Sequence, residues 1–187
     1  MLKQLVSILL VFFAFVSSSN AQTLDWFFGM GSESLLVTKG RICFDNNDNI
    51  ILAGNYAAQM DFNPQGDPVI LNNNVDESRC FIAKYNPDGV LLWVKELWFG
   101  QINSLSFENN TIILGGGISL DSDIDPSDGE VFVNEQTAGA YDLSGLIGTY
   151  DTEGNYLSHY FLDCQVQAYF ISVLPLSNGD FLAAGLK

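Results

Sequence analysis

The chain has little positive charge: 7 Lys plus Arg stand against 22 Asp plus Glu in 187 residues, a formal net charge of −15. A surface that neutralises phosphates cannot be assembled from that supply, so nucleic acid is not an expected partner. Histidine is nearly absent. His159 is the single one, which leaves no imidazole for a Ser/His/Asp or Cys/His arrangement elsewhere in the chain. Cysteine is scarce too: Cys43, Cys80 and Cys164 are odd in number, widely separated and without CxxC or Cys/His metal spacing, so zinc is not expected. They read as small buried hydrophobes with one disulfide at most.

Long apolar runs are confined to the start. Lys3 followed by the nearly all-apolar Leu5–Val16 and the small-x-small Ser19-Asn20-Ala21 reads as a secretory signal over residues 1–21, cut after Ala21. That run is about a dozen residues, short of the roughly 20 a spanning helix needs, so no membrane span is expected in the mature chain. The chain is expected to be secreted or displayed at the cell surface. No cysteine follows the cleavage site to carry a lipid.

What remains is a folding composition: 48% hydrophobic, 13% aromatic and only 16% charged, unlike a chain held disordered by its charge. Its length suits one domain. An internal period organises it. Asn49-Ile50-Ile51-Leu52-Ala53-Gly54 recurs at Asn110-Thr111-Ile112-Ile113-Leu114-Gly115-Gly116 and at Asn178-Gly179-Asp180-Phe181-Leu182-Ala183-Ala184-Gly185, with glycine spacings of 62 and 69. Asp61-Phe62-Asn63-Pro64 recurs as Asp123-Ile124-Asp125-Pro126 at 62, and Ile82-Ala83-Lys84-Tyr85 as Ile147-Gly148-Thr149-Tyr150 at 65.

Each unit holds four short β-like runs bounded by turn residues: 41–45, 49–56, 80–85 and 91–98 in the first, 102–107, 111–117, 145–150 and 156–162 in the second. Asp45-Asn46-Asn47-Asp48 and Pro87-Asp88-Gly89 are hairpin-turn chemistry, so antiparallel strands are expected. Ile50-Ile51-Leu52-Ala53 and Leu91-Leu92-Trp93-Val94 are apolar on successive residues, which calls for cover on both sheet faces. Four-stranded antiparallel units stacked at this period describe a β-propeller, with about two and a half blades over residues 22–187. The units fall at about 29–98, 99–163 and an incomplete 164–187. A two-sheet β-sandwich is the alternative.

These strings resemble the secreted bacterial β-propeller repeat family, whose pattern runs G-N-hydrophobic-Tyr-hydrophobic-x-G, then D-F-[DN]-P, then F-[IV]-[AS]-K-Y-[DN]-x-x-G-x-x-x-W. The first unit matches through Asp61-Phe62-Asn63-Pro64, Phe81-Ile82-Ala83-Lys84-Tyr85, Asp88-Gly89 and Leu92-Trp93. The second diverges, with Thr149 in place of Lys and Ser158 near the Trp position. The resemblance implies export by Bacteroidetes-like bacteria, often with a C-terminal sorting domain for type IX secretion. Leu24–Phe28, with Trp26, reads as a fourth strand lacking its own first three, and the sequence reaches Lys187 inside the second strand of a third unit. A truncated propeller is therefore expected, with exposed repeat faces that favour self-association.

Few residues carry chemistry. In Asp121-Ser122-Asp123-Ile124-Asp125-Pro126-Ser127-Asp128-Gly129-Glu130, the carboxylates of Asp121, Asp123, Asp125 and Asp128 could offer oxygen ligands to calcium. Pro126 and Phe132 occupy the EF-hand Gly and Glu positions, and the segment aligns with Asp61–Pro64, so a turn-forming loop is the plainer reading. No other cofactor is expected. Asp45 with Asp48 reads as a turn. Gly115-Gly116-Gly117 lacks the Lys and helix of a phosphate loop and reads as close strand packing. Trp93, Trp98, Tyr85 and Phe99 could stack on sugar rings but read as core. The functional expectation is a non-enzymatic extracellular interaction or adhesion scaffold for a protein or glycan. The alternative is part of a propeller hydrolase that acts on polysaccharide through paired carboxylates.

Overall fold

A computed structural model describes residues 38–56, 59–71, 79–118, 122–127, 129–133, 144–162 and 168–186. The signal-like segment, Leu24–Phe28, Asp121, Asp128 and Cys164 lie outside them. The described residues form antiparallel β-sheets, and no helix occurs among them. The all-β expectation therefore holds.

The first sheet contains β1 (Thr38–Phe44), β2 (Ile50–Tyr56), β5 (Arg79–Tyr85) and β6 (Leu91–Leu97), hydrogen-bonded in that order. The second repeats the arrangement with β7 (Gln101–Glu108), β8 (Thr111–Ile118), β11 (Ser144–Tyr150) and β12 (Tyr156–Leu162). Between the second and third long strands of each sheet sits a two-residue hairpin, β3 (Met60–Asp61) with β4 (Ile70–Leu71) and β9 (Ser122–Asp123) with β10 (Phe132–Val133). A third unit supplies β13 (Tyr169–Pro175) and β14 (Phe181–Leu186). Each of the eight long strands of the first two units falls within a few residues of its expected place.

Turn chemistry explains the hairpins. Asp45 Oδ1 accepts the amides of Asn47 and Asn49 at 2.8 and 2.9 Å, closing the β1–β2 turn, where Asp48 takes φ 60°. Asn86 and Asp151 do the same for the β5–β6 and β11–β12 turns. Asn109 and Asn110, at φ 50° and 59°, make the two-residue β7–β8 turn in the left-handed conformation that Asn tolerates.

The sheets stack face to face. β1 lies along β7 and β7 along β13, so the first strands of the three units stand in a row. Between the first two sheets, Ile51, Ala53, Ile82 and Leu97 meet Ile112, Leu114, Leu146 and Tyr150, all at most 1% exposed. Each aliphatic side chain so buried is worth about 1.5–3 kcal/mol. On the opposite face of the first sheet the β3–β4 hairpin folds Met60 and Phe62 over Tyr56 and Phe81. The outer face is covered only in part: Ile42 and Phe44 on β1 stand more than half exposed there.

One device recurs in every unit. The first strand shifts register opposite the repeated glycine, at Thr38/Arg41, Ile102/Ser104 and Phe170/Ser172. A Cβ on Gly116 would lie 1.9 Å from the Gln101 carbonyl oxygen, and one on Gly185 would lie 2.4 Å from that of Tyr169. In the second and third units the bulge therefore requires the glycine.

Candidate functional site

The polar groups that organise the molecule gather where the first two sheets meet. Lys84, on β5, sends its ammonium across this junction. Nζ lies 3.0 Å from Asp45 Oδ2 and 3.0 Å from the Thr152 carbonyl oxygen, and both charged side chains are almost wholly buried. One lysine thus ties the β1–β2 turn of its own sheet to the β11–β12 turn of the next. Burial alone would raise the Asp45 carboxyl. Hydrogen bonds from the Asn49 side chain, the Asn47 amide and Lys84 outweigh it and hold the group below its ordinary value.

Two tyrosines join the repeated motifs to each other. Tyr85 donates to the Phe62 carbonyl at 2.8 Å, and its counterpart Tyr150 donates to the Ile124 carbonyl at 3.0 Å. The D-[FI]-[DN]-P string and the tyrosine closing the third strand are therefore partners in one bond, made twice. Along the row of first strands, Arg41 Nε donates to the Asn103 carbonyl at 2.7 Å, and Asn103 Nδ2 donates to that of Phe170 at 3.0 Å.

A second polar and aromatic cluster lies at one end of the first sheet, on the face that carries Tyr56 and Phe81. Arg79, which opens β5, pairs with Glu96 Oε1 at 2.8 Å and places its guanidinium carbon 3.9 Å from the centre of the Trp98 ring. Tyr56 donates its hydroxyl to the other Glu96 oxygen, and burial, together with that carboxylate, pushes the phenol upward from its usual value. The Trp98 amide donates to the Asp123 carbonyl at 3.1 Å, so the cluster abuts the β9–β10 hairpin. Trp98 is 48% exposed. Of the four aromatics read as core, Tyr85 and Phe99 are buried and Trp93 is half-buried, but Trp98 is displaced to the surface because Arg79 covers its ring.

Asp123 and Asp125 act as turn formers. Asp123 Oδ1 accepts the amides of Asp125 and Val131 at 3.1 and 3.0 Å, as Asp61 Oδ1 accepts those of Asn63 and Val69 at 2.9 and 3.0 Å. Asp125 Oδ1 accepts the Ser127 amide. Asp121 and Asp128, the other two candidate calcium ligands, lie outside the described residues. Among those described, no group of three or more His, Cys, Asp or Glu stands close enough to hold a metal.

Cys43 and Cys80 carry free thiols. Burial, with Asp45 nearby, pushes Cys43 up to about 12. Cys80 donates to the Phe99 carbonyl at 2.9 Å and accepts from Asn55, so it does more than fill space. His159, on β12, bonds Tyr156 through Nδ1 at 2.7 Å. In the glycine triplet, a Cβ on Gly115 would meet Val173 of the third unit, in keeping with close packing.

Sequence reasoning missed the Lys84–Asp45 pair, the tyrosine-to-carbonyl bonds and the Arg79–Trp98 stack. The recurrence of Asp61–Pro64 and Tyr85 at nearly equal spacing was the available signal for the second of these. No helix among the described residues is long and apolar enough to cross a membrane. No protein-family model matches the chain, and a search of curated proteins finds no match.

Proposed function

We propose that the chain is a β-propeller-type repeat protein that acts outside the cell as a binding scaffold for a protein or glycan. The observation that carries this reading is the row β1, β7, β13, from which two four-stranded meanders and a two-stranded hairpin extend and stack, with a side chain-to-carbonyl bond between successive first strands at Arg41 and again at Asn103. A sandwich would pack two sheets once. Here a third unit adds to the second as the second adds to the first. Trp98, exposed beside Arg79 and Glu96, gives such a scaffold a surface of apolar ring and paired charge suited to a sugar face or a peptide. Secretion rests on the sequence of residues 1–21 alone.

The test combines a glycan array with a reducing-end assay on the same polysaccharides. Binding without release of reducing ends, weakened by Trp98→Ala, is the expected result. Release of reducing ends would replace the scaffold with a hydrolase. N-terminal sequencing of the exported protein should begin at Gln22.

A further inference from the structure

The first two sheets treat one acidic position differently. In the first, Ile51 pairs with Lys84, and Asp45 follows Phe44, which pairs with Ile50. In the second, Ile113 pairs with Thr149, and Glu108 follows Phe107, which pairs with Ile112. Glu108, Ile113 and Thr149 therefore repeat the placing of Asp45, Ile51 and Lys84. Only the cation is lost. Lys84 Nζ lies 3.0 Å from Asp45 Oδ2, whereas Thr149 Oγ1 lies 2.8 Å from the Ser158 hydroxyl of its own sheet. Glu108, half-buried, has no ion-pair or hydrogen-bond partner among the described residues.

A cleft of about 90 Å³ opens beside Glu108 and Ile113, between the β7–β8 and β13–β14 turns. Asp180, Pro175 and Phe181 complete its walls, so every one of these groups belongs to a described strand or turn. Phe181 is steadied by Tyr160, their ring centres 5.4 Å apart, and Asp180 by Asn178 Nδ2 at 2.6 Å. The cleft is smaller than the roughly 300–1,000 Å³ of sites that enclose a whole small molecule, so it takes one end of a ligand.

Charge and shape choose the occupant. Apolar walls beside two acidic residues suit a cation carried on an aliphatic stem better than a bare metal ion, which asks for six or more oxygen ligands. The first sheet shows the same acidic position holding such a group, the Lys84 ammonium. A net charge of −15 draws cations toward the surface from a distance. We propose that this cleft binds the ammonium end of a lysine side chain presented by a partner protein, in the place that Lys84 fills for the first sheet. The site lies at the second junction, apart from the Trp98 surface, so the failure of either leaves the other standing.

The probe is Nα-acetyl-lysine methylamide, titrated into the full chain at low ionic strength and followed by backbone amide NMR. Its Nε-acetylated form keeps the stem without the charge. Saturable shifts at the β7–β8 and β13–β14 turns are expected with the free amine alone, and about tenfold weaker binding in Glu108→Gln. Thr149→Lys should fill the cleft from within: the probe then no longer binds, and the rise in melting temperature is lost again when Glu108→Gln is added. Equal binding of the acetylated probe, unchanged affinity in Glu108→Gln, shifts elsewhere or no saturable response would overturn the proposal. So would potassium competing as well as the amine does, which would assign the cleft to inorganic cations.

Discussion

At the scale of residues, Lys84 and Asp45 are the most consequential pair. A buried ion pair is costly to break because the survivor keeps its charge without its partner. Lys84→Met should therefore lower stability by about 3 kcal/mol in chemical denaturation. The double variant with Asp45→Asn should lose less than the two single losses added, since neither charge is then stranded. The same pair governs acid response. Because the folded Asp45 carboxyl, like that of Asp151, is held below its ordinary value, its contribution is full above the unfolded value near 4. It is lost as pH falls through the depressed folded value. The melting temperature should hold from about pH 7 to 5 and drop below about pH 4, with a shallower drop in Asp45→Asn. An acid limb of equal slope in that variant would assign the dependence to other carboxylates.

The tyrosine bonds make a paired prediction. Tyr85→Phe and Tyr150→Phe each strand a buried carbonyl, of Phe62 and Ile124, and should each cost about 1–2 kcal/mol. If one is silent, the two units are not held alike.

At the scale of elements, the bulge opposite Gly116 sets how each first strand meets its neighbour. Gly116→Ala would drive a methyl group into the Gln101 carbonyl, and backbone cannot step aside as a side chain can. A loss of about 3 kcal/mol is expected. Gly40→Ala, whose Cβ would find only Leu52 Cδ1 at 3.8 Å, should stay within about 0.5 kcal/mol. Denaturant midpoints of the two variants measure the difference.

The elements were the most legible part of the molecule. Short apolar runs punctuated by Asn, Asp and Gly located all eight long strands of the first two units, since both signals are local. The short hairpins β3–β4 and β9–β10 escaped because two-residue strands have no periodicity. Their aspartates carried a real signal, read as turn chemistry at Asp123 and Asp125. The partner of Lys84 could not be read, because its turn and the Thr152 turn are brought to it only by stacking. Trp98 misled for a related reason. Aromatic content favours burial, but a guanidinium laid on the ring lets the indole remain at the surface.

At the scale of the whole molecule, units that touch only their neighbours distribute stability along a line. The two junctions are unequal. Lys84 spans the first, while Thr149, in its place in the second sheet, turns back to Ser158 of its own sheet at 2.8 Å. The second junction relies on Asn103 with Phe170, Ser104 with Val173 and the packing of Ile113, Ile147 and Val173.

That asymmetry has a mechanical meaning. Under load applied across both junctions, the described units should not come apart all at once: the junction that holds the β13–β14 hairpin to the second sheet should part at lower force. The two sheets riveted by Lys84 should then yield at higher load, making this lysine a determinant of how much tension the stacked sheets bear before they give way.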